Sequence, residues 1–316
     1  MSTTPSPLTH AIEGGILTVT LDGGRLNEIG LPMLHALEGV VPLLSRPDVR
    51  ALVVTSAKPG GFSAGADLRE LHPRLPSVDG APEALGAHAR ALFDTPRTAA
   101  RAGASTLRAA LRQRDAHPLR AAKAWGVRAF LDRVHAAFDA LDAAPIPTIA
   151  AVHGVCFGGG FELALACDVI VADKTARFAF PELRLGLIPG FGGVPRLERD
   201  LGNAVARDLL FSGRSLNAKR AHELGLVAQL VAEGRAPDVA RRLAEQTTRL
   251  DPHTLAVAKA FAKPIPRARL REEKDRFVEL LGRPTVIEAL TRFVEAEDAM
   301  PYLPPRDARA APRGVS

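Results

Sequence analysis

A chain of 316 residues, 47% hydrophobic and 24% charged, has enough apolar material for a large buried core, as one large domain or two small ones. Only 5% of residues are aromatic, which counts weakly against a base-stacking surface, and no run reaches the roughly 20 apolar residues of a membrane span. The net charge of +6 is local: between His72 and Val127 nine Lys and Arg stand against four acids, so the rest of the chain is nearly neutral and no nucleic-acid partner is expected.

The stretch Met1 to His10 has neither the basic nor the apolar region of a signal peptide. Two cysteines, Cys156 and Cys167, cannot build a disulfide framework or a zinc site alone, so a reduced, cytoplasmic setting is expected, with no metal.

In chain order, Leu8–Glu13 and Ile16–Leu21 read as a hairpin around Gly14-Gly15. Apolar spacing predicts a helix over Leu31–Leu44, with Pro32 in its first turn, and a buried strand over Ala51–Thr55. A Gly-rich loop, Pro59–Gly65, leads to a helix start at Ala66-Asp67-Leu68. From about His72 to Arg128 Ala and Arg dominate, punctuated by Pro73, Pro76, Pro82, Pro96 and Pro118, with an amphipathic helix near Leu107–Arg114; partial disorder is the alternative reading. Trp125–Leu141 resumes a helical pattern, Thr148–Val152 is a strand, Phe161–Cys167 a helix and Val169–Ala172 a strand. Helical patterns run from Asn203 to Phe261 and from Leu270 to Glu297, before a Pro/Arg/Ala-rich tail. This is an α/β core with a helical C-terminal region.

Three features could carry chemistry. Gly158-Gly159-Gly160 lies between a strand and a helix, where unsatisfied N–H groups can stabilise developing negative charge, although a plain tight turn is the commoner use of such a run. It fits neither phosphate fingerprint: no Gly-Lys-Ser/Thr follows, and no Gly-x-Gly-x-x-Gly opens the helix. Glu162 and Glu182 each sit in apolar company, which raises a carboxyl's pKa and suits it to acid–base work. Taken singly, each reads as an ordinary surface acid.

The segments Phe62-Ser63-Ala64-Gly65-Ala66-Asp67-Leu68, Ile149–Gly154 with Gly158–Leu163, and Phe180-Pro181-Glu182 with Leu185–Gly193 resemble, in order, motifs of the crotonase (enoyl-CoA hydratase/isomerase) family. Leu210–Gly213 and Ala221–Val227 fit as well, and the resemblance covers about residues 8–71 and 125–300. It implies a core of repeated ββα units over 8–200, carrying a long Ala/Arg-rich insertion at 72–124. A helical region at 201–300 would serve assembly into a homotrimer or homohexamer, and a flexible tail would occupy 301–316.

By matched position the resemblance also implies site roles. The N–H groups of Ala66 and Gly159 would form an oxyanion hole for a thioester carbonyl. Glu162 would activate the water that attacks C3, and Glu182 would protonate C2. Ala64, Ala66, Asp67, Leu68 and Arg69, with Gly159, would hold coenzyme A, which enters as part of the acyl-CoA substrate; no separate cofactor is expected.

Retaining both glutamates favours a hydratase over an isomerase. A thioester hydrolase using Ser63 and His153 lacks a Gly-x-Ser-x-Gly elbow, and a non-catalytic acyl-CoA binder would be expected to lose a glutamate or an oxyanion glycine. Departures from the family pattern are the insertion, Glu28 in place of a small residue, and Val194-Pro195 after the Gly-Gly pair. The basic insertion reads as a solvated lid or contact helix, with a clamp on CoA phosphates or an acidic carrier as the alternative.

Overall fold

The computed structural model describes residues 6–74 and 118–296. Most of the insertion, including its expected helix near Leu107–Arg114, and the tail lie outside the described residues.

Strands β1 (Leu8–Glu13) and β2 (Ile16–Leu21) form the antiparallel hairpin expected around Gly14-Gly15. From β2 the sheet continues in parallel through β3 (Ala51–Ser56), β5 (Thr148–Val152), β7 (Val169–Asp173) and β10 (Gln229–Val231). A second sheet takes the short strands β4 (Gly61–Ser63), β6 (Val155–Phe157), β8 (Arg177–Ala179) and β9 (Leu216–Asn217). Each long strand β3, β5 and β7 is thus followed at once by a short strand of the second sheet. The first two pairs run on into helices α2 (Leu68–Leu71) and α4 (Gly159–Ala166), the expected ββα repeat.

The central strands β3, β5 and β7 are covered on both faces, which explains why they read as continuous apolar runs. Period-two alternation divides them: Leu52, Val54, Ala150 and Val152 join the main core, while Ala51, Val53, Ile149 and Ala151 face the other way. The main core packs under helices α1 (Leu31–Val40), α3 (Pro118–Asp142) and α4. The opposite face is closed by α8 (Ala236–Thr247), whose Ala236, Ala240 and Ala244 recur every fourth residue and let the helix lie close to the sheet.

The helix expected over Leu31–Leu44 ends at Val40 and tightens into a 3₁₀ turn at Val41–Ser45, because Pro42 supplies no N–H for the α ladder. Helix α3 starts at Pro118, seven residues before Trp125, so its first turns belong to the stretch read as insertion. Helices dominate after Asn203 as expected, interrupted by β9 and β10, strands of two and three residues, too short for a period to show. Around them run α5 (Gly193–Leu201), α6 (Asn203–Ser212), α7 (Ala218–Glu223), α9 (Pro252–Ala262), α10 (Arg267–Leu281) and α11 (Pro284–Glu295). No helix among the described residues is long and apolar enough to cross a membrane.

Candidate active site

Strands β4 and β6 pair in parallel, so the turns that leave them emerge side by side. The first turn carries Gly65-Ala66 and the second Gly158-Gly159. Gly65 has φ +97°, and a Cβ on it would stand 2.8 Å from the Phe157 carbonyl oxygen and 2.9 Å from the Gly159 nitrogen. Only glycine lets the two backbones come this close. On the other side of the contact, a Cβ on Gly159 would be 3.3 Å from the Ala66 nitrogen.

Ala64 N–H donates to the Leu26 carbonyl at 2.8 Å and Asp67 N–H to that of Ile29 at 3.1 Å, fixing the first turn on both flanks. Between them, Ala66 N–H has no acceptor among the described residues. Neither does Gly159 N–H, at the start of α4. Two adjacent donors are left to face the cavity.

Glu162 lies in the first turn of α4 and is 2% exposed. Its Oε1 accepts N–H bonds from Phe191 at 2.7 Å and Gly193 at 2.8 Å, where the chain turns into α5. Burial pushes its pKa up to about 7, against the opposing pull of those two amides. Glu182 opens a 3₁₀ turn (Glu182–Leu185) after β8, and a Cβ on Gly158 would fall 2.6 Å from its Oε1. As a residue Glu182 is only partly buried, but its Oε2 is shut off from solvent with no hydrogen-bond partner among the described residues. Burial, and then the charge of Glu162, drive its pKa well above the carboxylate range. The two acids titrate as a pair.

Ala66, Gly159, Glu162 and Glu182 line one cavity of about 730 Å³, counted to its open mouth. Its apolar wall comes from Leu185, Leu187, Phe191 and Phe277, and Phe293 also reaches it. The expected coenzyme A residues Ala64, Asp67, Leu68 and Arg69 line it too, as does Glu28. Asp67 is the N-cap of α2, accepting from Glu70 N–H at 2.9 Å. The Arg69 guanidinium donates to the Ala296 carbonyl and lies 5.7 Å from the Phe293 ring centroid, tying α2 to α11 while bordering the cavity. Glu28 folds back on its own loop, where Oε2 accepts from Arg25 and Leu26 N–H.

Sequence reading missed what holds Glu162 in place. The segment Phe191–Val194 is gripped by Arg196, which is fully buried. Its Nη1 donates to the carbonyls of Phe191 and Gly192, while Nε and Nη2 reach Asp142 and Asp139. The Phe191 ring meets Phe130 and Phe138 edge-on, each with centroids 6.0 Å apart. Helices α10 and α11, read only as an assembly region, also furnish cavity wall. The spacing Leu270, Glu273, Phe277 was the available signal for one inward face of α10.

The profile described as enoyl-CoA hydratase/isomerase matches residues 127–300, more than half of the chain, and this protein belongs to that family. The match contains Gly159, Glu162 and Glu182, whereas Ala64 to Arg69 precede it. The chain is 29% identical to "Probable enoyl-CoA hydratase 2, mitochondrial" of Arabidopsis thaliana, over 90% of this chain and 80% of that one. It is likewise 29% identical to carnitinyl-CoA dehydratase of Salmonella paratyphi A, over 91% and 90%. Among solved structures, DspI of Pseudomonas aeruginosa superposes with a TM-score of 0.62 at 28% identity, over 89% of this chain and 98% of that one.

Proposed function

We propose that the protein is an enoyl-CoA hydratase that adds water across the 2,3 double bond of an enoyl-CoA thioester. The observation that carries this reading is a single cavity in which two buried carboxyls of raised pKa accompany two backbone N–H groups without acceptors.

The thioester carbonyl oxygen accepts from Ala66 and Gly159 N–H, so negative charge developing there on attack at C3 meets fixed donors. Each such donor is worth about 3–4 kcal/mol in the transition state. Glu162, poised near neutrality, takes a proton from the attacking water. Glu182, whose ionisation burial and the neighbouring charge both oppose, holds its proton at neutral pH and delivers it to C2. Atoms balance without an external cofactor, since coenzyme A arrives as part of the substrate. The backbone and side chains from Ala64 to Arg69 form the wall along which its carrier portion would lie.

Purified protein mixed with crotonyl-CoA should discharge the enone absorbance without releasing free thiol. Release of thiol would mean hydrolysis instead, and a rise of enone absorbance from a 3-enoyl-CoA, with no hydration of crotonyl-CoA, would mean isomerisation. A Glu182→Gln variant should lose about 10²–10⁴-fold in kcat. Undiminished hydration by that variant would overturn its assigned role.

A further inference from the structure

The proposed reaction leaves one buried carboxyl of this region without a part. Glu273, 6% exposed, projects from α10 between Leu270 and Phe277, three residues after one and four before the other. This face of α10 presses on the chain that leads into α5. A Cβ on Gly192 would fall 2.6 Å from the Leu270 side chain, and one on Gly190 would fall 2.6 Å from the Phe277 ring.

Glu273 Oε1 accepts Gly192 N–H at 2.7 Å and its Oε2 accepts Val194 N–H at 2.9 Å. Glu162 accepts the N–H groups of Phe191 and Gly193. Four consecutive amides therefore alternate between two carboxyl groups, one on α4 and one on α10. Because each peptide group is planar and shares its Cα atoms with its neighbours, the direction of one N–H constrains the next. The carbonyls of Phe191 and Gly192, held by Arg196, close the remaining freedom.

We propose that Glu273 is a positioning residue for Glu162. By holding Gly192 and Val194 through both of its oxygens, it aims the intervening Phe191 and Gly193 amides, and through them fixes the carboxylate that faces the cavity. The requirement is two acceptor oxygens at the reach of a glutamate side chain. Glutamine would turn an NH₂ toward one of the two amide donors, and aspartate would fall short by one methylene. The kinetic consequence rests on the hydratase reading above, whereas the structural linkage does not.

The test compares wild type, Glu273→Gln and, as control, Glu272→Gln, whose side chain is 49% exposed and pairs with Arg269. Hydrogen–deuterium exchange is followed on peptides covering residues 187–197, alongside crotonyl-CoA kinetics. Loss of one hydrogen bond, about 1–1.5 kcal/mol, corresponds to roughly tenfold. In Glu273→Gln the amides of Phe191 and Gly193, which Glu273 does not touch, should exchange about tenfold faster. Its kcat should fall by about the same factor, with KM within about twofold of wild type. Glu272→Gln should match wild type in both. Unchanged protection of Phe191 and Gly193, or an unchanged kcat in an active enzyme, overturns the proposal. Should wild type show no hydration while the exchange effect appears, the linkage stands and the hydratase reading falls. If circular dichroism shows Glu273→Gln unfolded, Glu273→Asp is read by the same criteria.

Discussion

Replacing Glu162 by glutamine removes a buried charge but keeps an oxygen able to accept from Phe191 and Gly193 N–H. In wild type the Glu162 carboxyl is raised from 4.5 to about 7, chiefly by burial. The folded state therefore binds its proton more tightly than the unfolded chain. The stability this confers is fully present below pH 4.5 and is lost as pH rises through about 7. At about 1.4 kcal/mol per pH unit the loss amounts to about 3 kcal/mol. Glutamine carries no such dependence, so Glu162→Gln should gain about 3 kcal/mol relative to wild type between pH 4 and pH 8. Urea unfolding of both proteins at fixed protomer concentration across this range measures the difference. A difference constant within about 0.5 kcal/mol would refute the claim that Glu162 is held near neutrality by burial. In the same samples hydration should fall by about 10²–10⁴-fold, and wild-type kcat/KM should decline as pH drops below 7, where the base becomes protonated.

Gly65→Ala should cost about 2–4 kcal/mol, since its positive φ and the backbone atoms of Phe157 and Gly159 both oppose a Cβ; thermal unfolding measures this, and a neutral result would mean that the two turns can separate. Phe261, 90% exposed on α9, a helix with no buried residue, is the residue to test for the homotrimer or homohexamer that the family resemblance implies. Phe261→Asp should shift the sedimentation of the 33.5 kDa chain toward monomer, and an unchanged profile would place the contact elsewhere.

Much of the fold was legible because its core obeys simple periods. The strands β3, β5 and β7 are short apolar runs closed by turn residues, and α4 follows a Gly-rich turn whose glycines are needed for close approach. Glu162 and Glu182 were legible singly as carboxyls in apolar company, but their meeting was not. Twenty residues separate them, and what joins them is the parallel register β6–β8, which sequence spacing does not encode. Glu273 was hidden for a related reason. On a charged helix such as α10, one acid among Glu272, Glu273 and Glu279 looks like another until packing selects the one that turns inward. Strands β4, inside the stretch read as a Gly-rich loop, and β6, β8, β9 and β10 were missed because two or three residues cannot display an alternation.

The difference in environment between the two cavity acids separates their proposed roles more firmly than their shared burial does. Both are desolvated, and the charge of Glu162 further opposes ionisation of Glu182. Glu162 receives two amide donors from the Phe191–Val194 segment, whereas the Oε2 of Glu182 has none among the described residues. Glu162 is therefore the readier of the two to ionise and Glu182 the readier to keep its proton, the distribution that the proposed hydration uses: a base for the water and an acid for the α-carbon. That asymmetry is produced by main-chain N–H groups at the entrance to α5, and those in turn are oriented by Arg196 and Glu273 from α5 and α10. In the proposed reaction the division between base and acid thus depends on Arg196 and Glu273, which do not line the cavity.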